Sequence, residues 1–350
     1  MSHLPELSSR TYQPLIALTP LYNFSSDSED LRIGNDFRVQ GFSDGLLPIP
    51  IQTSDICIRH LEVYPPHYIL WQVPDVPPTE WIELISREQP EAQAAGIRSV
   101  FLTPTMNLFH ELRLFKPDRL FAGETFVLAN QEQQEKEGWA TAVNQRASLM
   151  GIDYALLVHQ RERYELPSAE LPFLQIFIKA LSPLLESLAK ADCPYRQLKL
   201  ALELFGRNDG PENEVLYSFT ALEGLLTNDS TSELAYRLAL RVASLLGTDD
   251  ISRKRLFKEM KGFYDLRSKI VHGSELKPKH ESSLDQVPNL REHLRRVLLR
   301  YMALLVNGIQ PKQIEELLDE MVFDESARKK VYSESTKFIH LADPSTGQTC

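Results

Sequence analysis

Residues 255–273 read RLFKEMKGFYDLRSKIVHG, and this stretch decides what kind of domain fills the second half of the chain. Leu256, Phe257, Met260, Phe263, Tyr264, Ile270 and Val271 recur at close to helical spacing, which predicts one long helix over 252–272. Gly273 is the natural stop, because glycine readily takes the left-handed conformation that ends helices. Within the helix Arg267 is followed by His272, in an RxxxxH spacing. A guanidinium is a fixed, always charged fork suited to phosphate oxygens, and an imidazole gives or takes a proton near neutral pH. Together they suit metal-free chemistry on a phosphodiester.

On an ideal helix Asp265, Ser268 and His272 share one stripe, whereas Arg267 shares another with Tyr264 and Val271. Arginine and histidine then diverge by about 140° around the axis. One helix gathers them poorly unless its last turn unwinds or a second copy of the chain contributes. Two such helices across a twofold axis would pool both pairs around one cleft, because an isologous interface presents the same patch from both sides. His272 also falls in the final turn, where the negative end of the helix dipole favours a cation. The bland alternative is a surface cation beside a helix cap, since this spacing also arises by chance.

Helical periodicity continues on either side, predicting helices at 169–190, 195–206, 213–227, 231–247, 286–307 and 311–322. Ser230 with Glu233 makes a candidate capping box, Gly247 ends the helix before the motif, and Pro278 and Pro288 frame a polar loop after it. Earlier in the chain the pattern shortens to β-branched and aromatic runs punctuated by proline and glycine. FRVQGF, ICIRHLEV, HYILWQV, WIELI, RSVFLT, FHELRLF and ETFVLA read as strands. A chain of 350 residues, 43% hydrophobic, is long enough for two domains with real cores. The expected fold class is α+β: a β-rich N-terminal domain over 1–140, a connection over 141–164, a helical domain over 165–322 and a C-terminal tail over 323–350.

Lys and Arg total 38 against 48 Asp and Glu, a formal net charge of −10 that argues against indiscriminate nucleic-acid binding. Residues 251–300 reverse the balance with 13 basic against 6 acidic side chains, a local +7 that leaves −17 elsewhere. A basic stretch flanking the motif is what a focused phosphate-binding cleft needs, and Lys261, Lys269, Arg291 and Arg295 are its candidate RNA contacts. The plainer alternative is a solvated helix face. Glu223 sits in an apolar helical run, and Arg237 and Arg241 share a face of the next helix. A carboxylate paired with those guanidiniums is the structural expectation, and a site carboxylate reaching across the bundle is the functional one.

Four strings in order strengthen the picture: SFTALEGLL at 218–226, SELAYRLALRVASLLG at 232–247, FYDLRSKIVHG at 263–273 and LREHLRRVLLRYMALL at 290–305. Over about residues 165–308 they resemble the ApeA-like HEPN domains, part of the wider HEPN superfamily of helical domains. The string LRLFKPDRLFAGETF at 112–126 is similar to the region that precedes such domains. The resemblance implies a metal-independent endoribonuclease site at a homodimer interface, with Arg267 and His272 as its catalytic pair. His272 would move the proton, Arg267 would hold the phosphate oxygens, Ser268 would orient the imidazole, and Tyr264, Asp265 and Glu223 would support the site. RNA supplies its own nucleophile, the 2′-hydroxyl, so the enzyme needs only to assist attack, steady charge and protonate the leaving 5′-oxygen. The residue after the arginine is commonly Asn or Asp in the nucleases, and here it is Ser268.

Other chemistries find little support. Cys57, Cys193 and Cys350 are too few and too scattered for a zinc site or a disulfide framework, which points to a reducing cytoplasm. The start lacks the charged and apolar regions of a signal peptide, and the most apolar run, VLLRYMALLV, is interrupted by Arg300. No phosphate-cradling glycine loop or metalloprotease motif occurs, and His60, His159 and His280 read as ordinary surface or packed residues. Trp71 and Trp81 have rings suited to base stacking, but aromatic residues in strands are mostly core. The N-terminal domain is expected to sense or select substrate.

Two functions from different classes remain. The first is a metal-independent RNase acting as a toxin or antiviral defence effector. The second is a catalytically silent HEPN module that binds RNA, a nucleotide or a protein. The partners expected are RNA, a second copy of the chain and a regulatory protein. Neither a membrane nor a cofactor or metal is expected.

Overall fold

The structure, a computed structural model, describes residues 15–34, 36–41, 68–72, 98–117, 120–123, 125–129, 145–147, 163–207, 209–227 and 233–342. The chain divides into two compact units, one of residues 1–109 and 118–175, the other of 110–117 and 176–350. The fold is α+β, an antiparallel sheet followed by a helical bundle.

The first unit contains β1 (Leu15–Leu21), β2 (Phe24–Ser25), β3 (Asp30–Ile33), β4 (Phe37–Gly41), β5 (Tyr68–Gln72), β6 (Thr125–Ala129), β7 (Gln145–Ala147) and β8 (Tyr164–Glu165). Among the described residues six strands form one sheet in the order β3-β4-β5-β1-β6-β7, each neighbouring pair antiparallel. The short β2 and β8 pair in parallel. β1 is central, and Ala17, Leu18, Thr19 and Leu21 are all buried. Pro20 is tolerated there. Its carbonyl accepts the Gly123 N–H, so its missing donor faces the same edge, beyond the Leu15–Leu18 stretch that pairs with β6 among the described residues. Buried polar groups in this sheet are satisfied in pairs: Thr19 Oγ1 lies 2.8 Å from Thr125 Oγ1. Gln72 donates to the Val100 carbonyl at 3.0 Å and accepts from Thr105 Oγ1 at 2.9 Å.

FRVQGF, HYILWQV and ETFVLA supply β4, β5 and β6. RSVFLT and FHELRLF do not form strands. Arg98–Leu102 is a π-helical turn that runs into α1 (Thr103–Phe115). Phe101, Thr105, Leu108, Leu112 and Phe115 are buried at three- and four-residue intervals, a helical period that no seven-residue window displays. ICIRHLEV, WIELI and Trp81 lie outside the described residues, and of Trp71 only its backbone in β5 is described.

The helical part comprises α2 (Leu171–Ala189), α3 (Arg196–Phe205), α4 (Pro211–Leu226), α5 (Leu234–Leu246), α6 (Asp250–Val271), α7 (Pro278–Leu284), α8 (Val287–Val306), α9 (Pro311–Phe323) and α10 (Glu325–Ala342). Helical spacing located most of these to within a few residues. The boundaries of the sequence-based division shift, because 110–117 group with the helices and 165–175 group with the sheet. The expected tail is also corrected. α10 buries Ala327, Val331, Ser335, Phe338 and Ala342, a helical stripe that packs on α8.

α8 is the central helix of its unit, buried from Val287 through Leu305 on nearly every side. Each fully buried leucine there, such as Leu290, Leu294 or Leu298, contributes about 1.5–3 kcal/mol. Among the described residues α8 is not the helix apolar enough to span a membrane. Ser168–Ala189, with mean hydropathy 1.3, is long and apolar enough to cross a membrane by length and composition alone. Within it Leu174, Phe177, Leu181, Leu185 and Leu188 are buried at helical spacing, the pattern of a packed amphipathic helix.

Candidate active site

α6 carries the site residues, and its ends are sharply defined. Asp249 caps the start: its side chain accepts the Ser252 N–H at 2.8 Å, and Ser252 Oγ accepts the Asp249 N–H at 3.0 Å. These bonds hold the Asp249 carboxyl below its ordinary value, the Ser252 backbone bond first. This box was missed in the sequence, where the capping pair was sought at Ser230 and Glu233. Ser230 lies outside the described residues, and Glu233 precedes α5 at φ 56° with no capping bond from its side chain.

The far end is a Schellman turn. The Ser274 N–H reaches the Lys269 carbonyl at 3.0 Å and the Gly273 N–H reaches Ile270 at 3.1 Å, with Gly273 at φ 59°. α6 therefore stays helical through Val271, and no unwinding brings His272 round toward Arg267. His272 is the helix C-cap, exposed to solvent, with its N–H on the Ser268 carbonyl at 3.1 Å. The link from Ser268 to His272 is thus through the main chain.

Arg267 points along the bundle to Glu223 on α4, its Nη2 3.7 Å from Glu223 Oε2, both side chains partly buried. Its guanidinium carbon also lies 5.6 Å from the Tyr264 ring centre, and Tyr264 meets Phe219 edge-on at 5.4 Å. Glu223 Oε1 is buried with no hydrogen-bond partner among the described residues. Burial raises the Glu223 carboxyl above its ordinary value, and the Arg267 charge offsets only part of that. The expected structural pairing of Glu223 is corrected in one respect: Arg241 is committed to Asp319 on α9 and to the Leu226 carbonyl.

Asp265 is turned away from Arg267 toward α7, where His280 Nε2 lies 3.2 Å from its Oδ2. The Lys277 N–H donates to His280 Nδ1 at 3.4 Å, so Nε2 carries the proton and donates to Asp265. His280, 4% exposed, is a packed residue, and the loop between Pro278 and Pro288 contains a helix.

The candidate RNA contacts separate into two groups. Lys261 is exposed on α6, and Lys269 is half-buried there. Arg291 and Arg295 are corrected: they are core residues, 9% and 3% exposed. Arg295 grips Glu292 through Nε at 2.6 Å and Nη2 at 3.0 Å, and donates to the Leu114 carbonyl at 2.6 Å. Arg291 stacks 4.3 Å over the Phe205 ring centre. A third cation of the same stretch, Arg300, is engaged by Ser335 Oγ at 2.5 Å and by the Tyr332 ring at 4.3 Å. A helix surrounded by packing partners cannot offer these groups to a phosphate.

Sequence reasoning passed over Tyr236, Lys254 and Lys258. Tyr236 is 49% exposed at the start of α5 and bounds a groove of about 510 Å³ with Glu233, Leu234, Ala235, Lys261 and Tyr264. The spacing of Lys254, Lys258 and Lys261 was the available signal, because intervals of four and three place them on one helix stripe. Among the described residues no three His, Cys, Asp or Glu side chains cluster as a metal-holding set. No family model matches the chain, and no curated protein or solved structure matches it.

Proposed function

We propose that this protein is a metal-independent endoribonuclease of the HEPN type, in which two copies of the chain assemble one active site. The observation that carries the reading is the regular end of α6. It leaves Arg267 and His272 on diverging faces of one helix, half-buried and exposed, at the last turn before the Schellman stop. Two such ends across a twofold axis gather the groups that one end keeps apart. Val271, 51% exposed between them in sequence, is an apolar residue suited to being covered by that second copy.

In the chemistry this implies, the imidazole of His272 moves the proton and the guanidinium of Arg267 steadies the negative charge that develops on the phosphoryl oxygens. Glu223 and Tyr264 limit where that guanidinium can swing. The 2′-hydroxyl attacks the adjacent phosphorus and the 5′-oxygen leaves with a proton, giving a 2′,3′-cyclic phosphate and a 5′-hydroxyl. Such an enzyme fits a toxin or antiviral effector held in check by a regulatory protein. A reducing cytoplasm suits the free, buried thiol of Cys193.

A second reading has its own support. The attraction of Arg267 to Glu223, with Arg291 and Arg295 held in the core, favours a silent module that binds RNA or a protein without cutting. Expression of the wild type beside Arg267→Ala and His272→Ala separates the two. Growth arrest and loss of bulk RNA in the wild type alone, with chelator present in the cleavage assay, supports the nuclease. Equal behaviour of all three supports the silent module.

A further inference from the structure

We infer that a single strand of RNA lies along α6 toward the motif, its phosphates on Lys254, Lys258 and Lys261 and one base stacked on Tyr236. The inference rests on RNA being the ligand, but not on its being cut.

Lys254, Lys258 and Lys261 are all exposed and occupy one stripe of α6. Their rises along the axis are about 6 and 4.5 Å, close enough for consecutive phosphates of a flexible strand each to meet an ammonium. None of the three has a carboxylate partner among the described residues. The contrast with Arg291, Arg295 and Arg300 decides the matter: those cations are answered inside the fold, and these are left to solvent.

Beside the stripe lies a second feature of different chemistry. The Tyr236 ring is held edge-on by Phe257 at 5.4 Å and 78°, while Lys261 Nζ sits 5.7 Å from the Phe257 ring centre. Phe257 thus props the tyrosine as a platform, and Lys261 and Tyr264 line the same groove. Aromatic faces set against cations that track a backbone are the working parts of single-strand binding. Tyr264 also touches the guanidinium of Arg267, so the groove leads to the motif. Glu233 lines the same groove, and a carboxylate there would repel a phosphate but accept a hydrogen bond from a base amino group. That places the base on the Tyr236 side and the backbone on the lysine side. A protein partner covering the same face is the competing occupant. A row of lysines with no carboxylate partner among the described residues favours the polyanion.

The test uses the full chain and a short single-stranded RNA fully 2′-O-methylated, which has no attacking hydroxyl and cannot be cleaved by this route. Binding is measured by fluorescence anisotropy over a range of salt. Tyr236→Leu keeps an apolar contact with Phe257 but removes the stacking face, and should weaken binding between about fivefold and a hundredfold. Tyr236→Phe should bind as the wild type does. Replacing the three lysines together by alanine should flatten the slope of log affinity against log salt by about 2. Wild-type-like binding by both Tyr236→Leu and the triple variant, or no binding by the wild type, overturns the inference. So does a Tyr236→Leu variant that changes oligomeric state while keeping its RNA affinity, which would assign the face to protein. Expected binding losses in a protein that cuts no RNA would leave the track standing and remove the nuclease. Cleavage that ignores all these variants would do the reverse.

Discussion

Glu111 should make the helical unit lose stability as pH rises. The side chain is 3% exposed, and burial pushes its carboxyl up to about 8, with the Ser182 bond pulling the other way and the Glu186 charge adding to burial. Ser182 Oγ lies 2.9 Å from both Glu111 Oε1 and the Ile178 carbonyl oxygen. One hydroxyl proton cannot serve two acceptors, so a protonated Glu111 that donates to Ser182 completes the set. Below the ordinary value of 4.5 both the folded and the unfolded chain hold the proton, and the group has no effect. Above it the unfolded chain releases the proton while the folded one keeps it until about 8, so stability falls through that window. Between pH 5 and about pH 8.5 the loss is on the order of 4 kcal/mol. The amide introduced by Glu111→Gln cannot ionise, yet it can still donate to Ser182. Urea unfolding followed by circular dichroism, at both pH values for wild type and Glu111→Gln, should therefore show the variant gaining about that much on the wild type as pH rises. Parallel pH dependence in the two proteins would refute the reasoning.

Two glycines should respond oppositely to alanine. A Cβ at Gly247 would stand 2.8 Å from both the Ala243 carbonyl and the Arg253 nitrogen, so Gly247→Ala should lose about 1–3 kcal/mol in a denaturant titration. At Gly224, inside α4, a Cβ meets nothing within 4 Å, and Gly224→Ala should gain roughly 0.5–1 kcal/mol in the same assay. Arg295→Ala removes the buried bond to the Leu114 carbonyl and the part-buried ones to Glu292 and should destabilise by about 3 kcal/mol, with RNA cleavage per folded molecule unchanged. Ending the chain at Asp324 strips α10 from α8 and should lower the melting temperature sharply with new dye-binding apolar surface; an unaltered melt would mean that the last helix contributes nothing.

The helices were legible because their apolar positions repeat over three turns or more, long enough for the helical period to stand out. α6 is the clearest case, from Leu256 through Met260 and Phe263 to Leu266, all buried. The sheet was harder to read. β1 is buried on both faces and carries a proline, so it shows neither alternation nor a clean strand composition. α1 was misread because FHELRLF is only the second half of its stripe, and the first half begins at Phe101. The tail was misread because α10 is mostly polar, with one narrow face turned inward.

Within the candidate site, sequence identified the elements but not the directions of their side chains. Arg267, His272 and Tyr264 stand near the end of α6 as their spacing indicated, and Glu223 reaches Arg267 across the bundle. The basic count over 251–300 was a poorer guide, since charge along a sequence says nothing of which side faces a neighbour. α8 is packed on nearly every side, so its Arg295, Arg291 and Arg300 turned inward and found a carbonyl, a ring and a hydroxyl. α6, packed on one side, kept its lysines in solvent.

The most direct measurement is the chemistry of the cut ends. Wild-type protein, incubated with single-stranded RNA and excess chelator, should leave 2′,3′-cyclic phosphate and 5′-hydroxyl termini by mass spectrometry, and Arg267→Ala and His272→Ala should leave the RNA whole. Cleavage that stops when chelator is added, or that continues unchanged in either variant, would contradict the account.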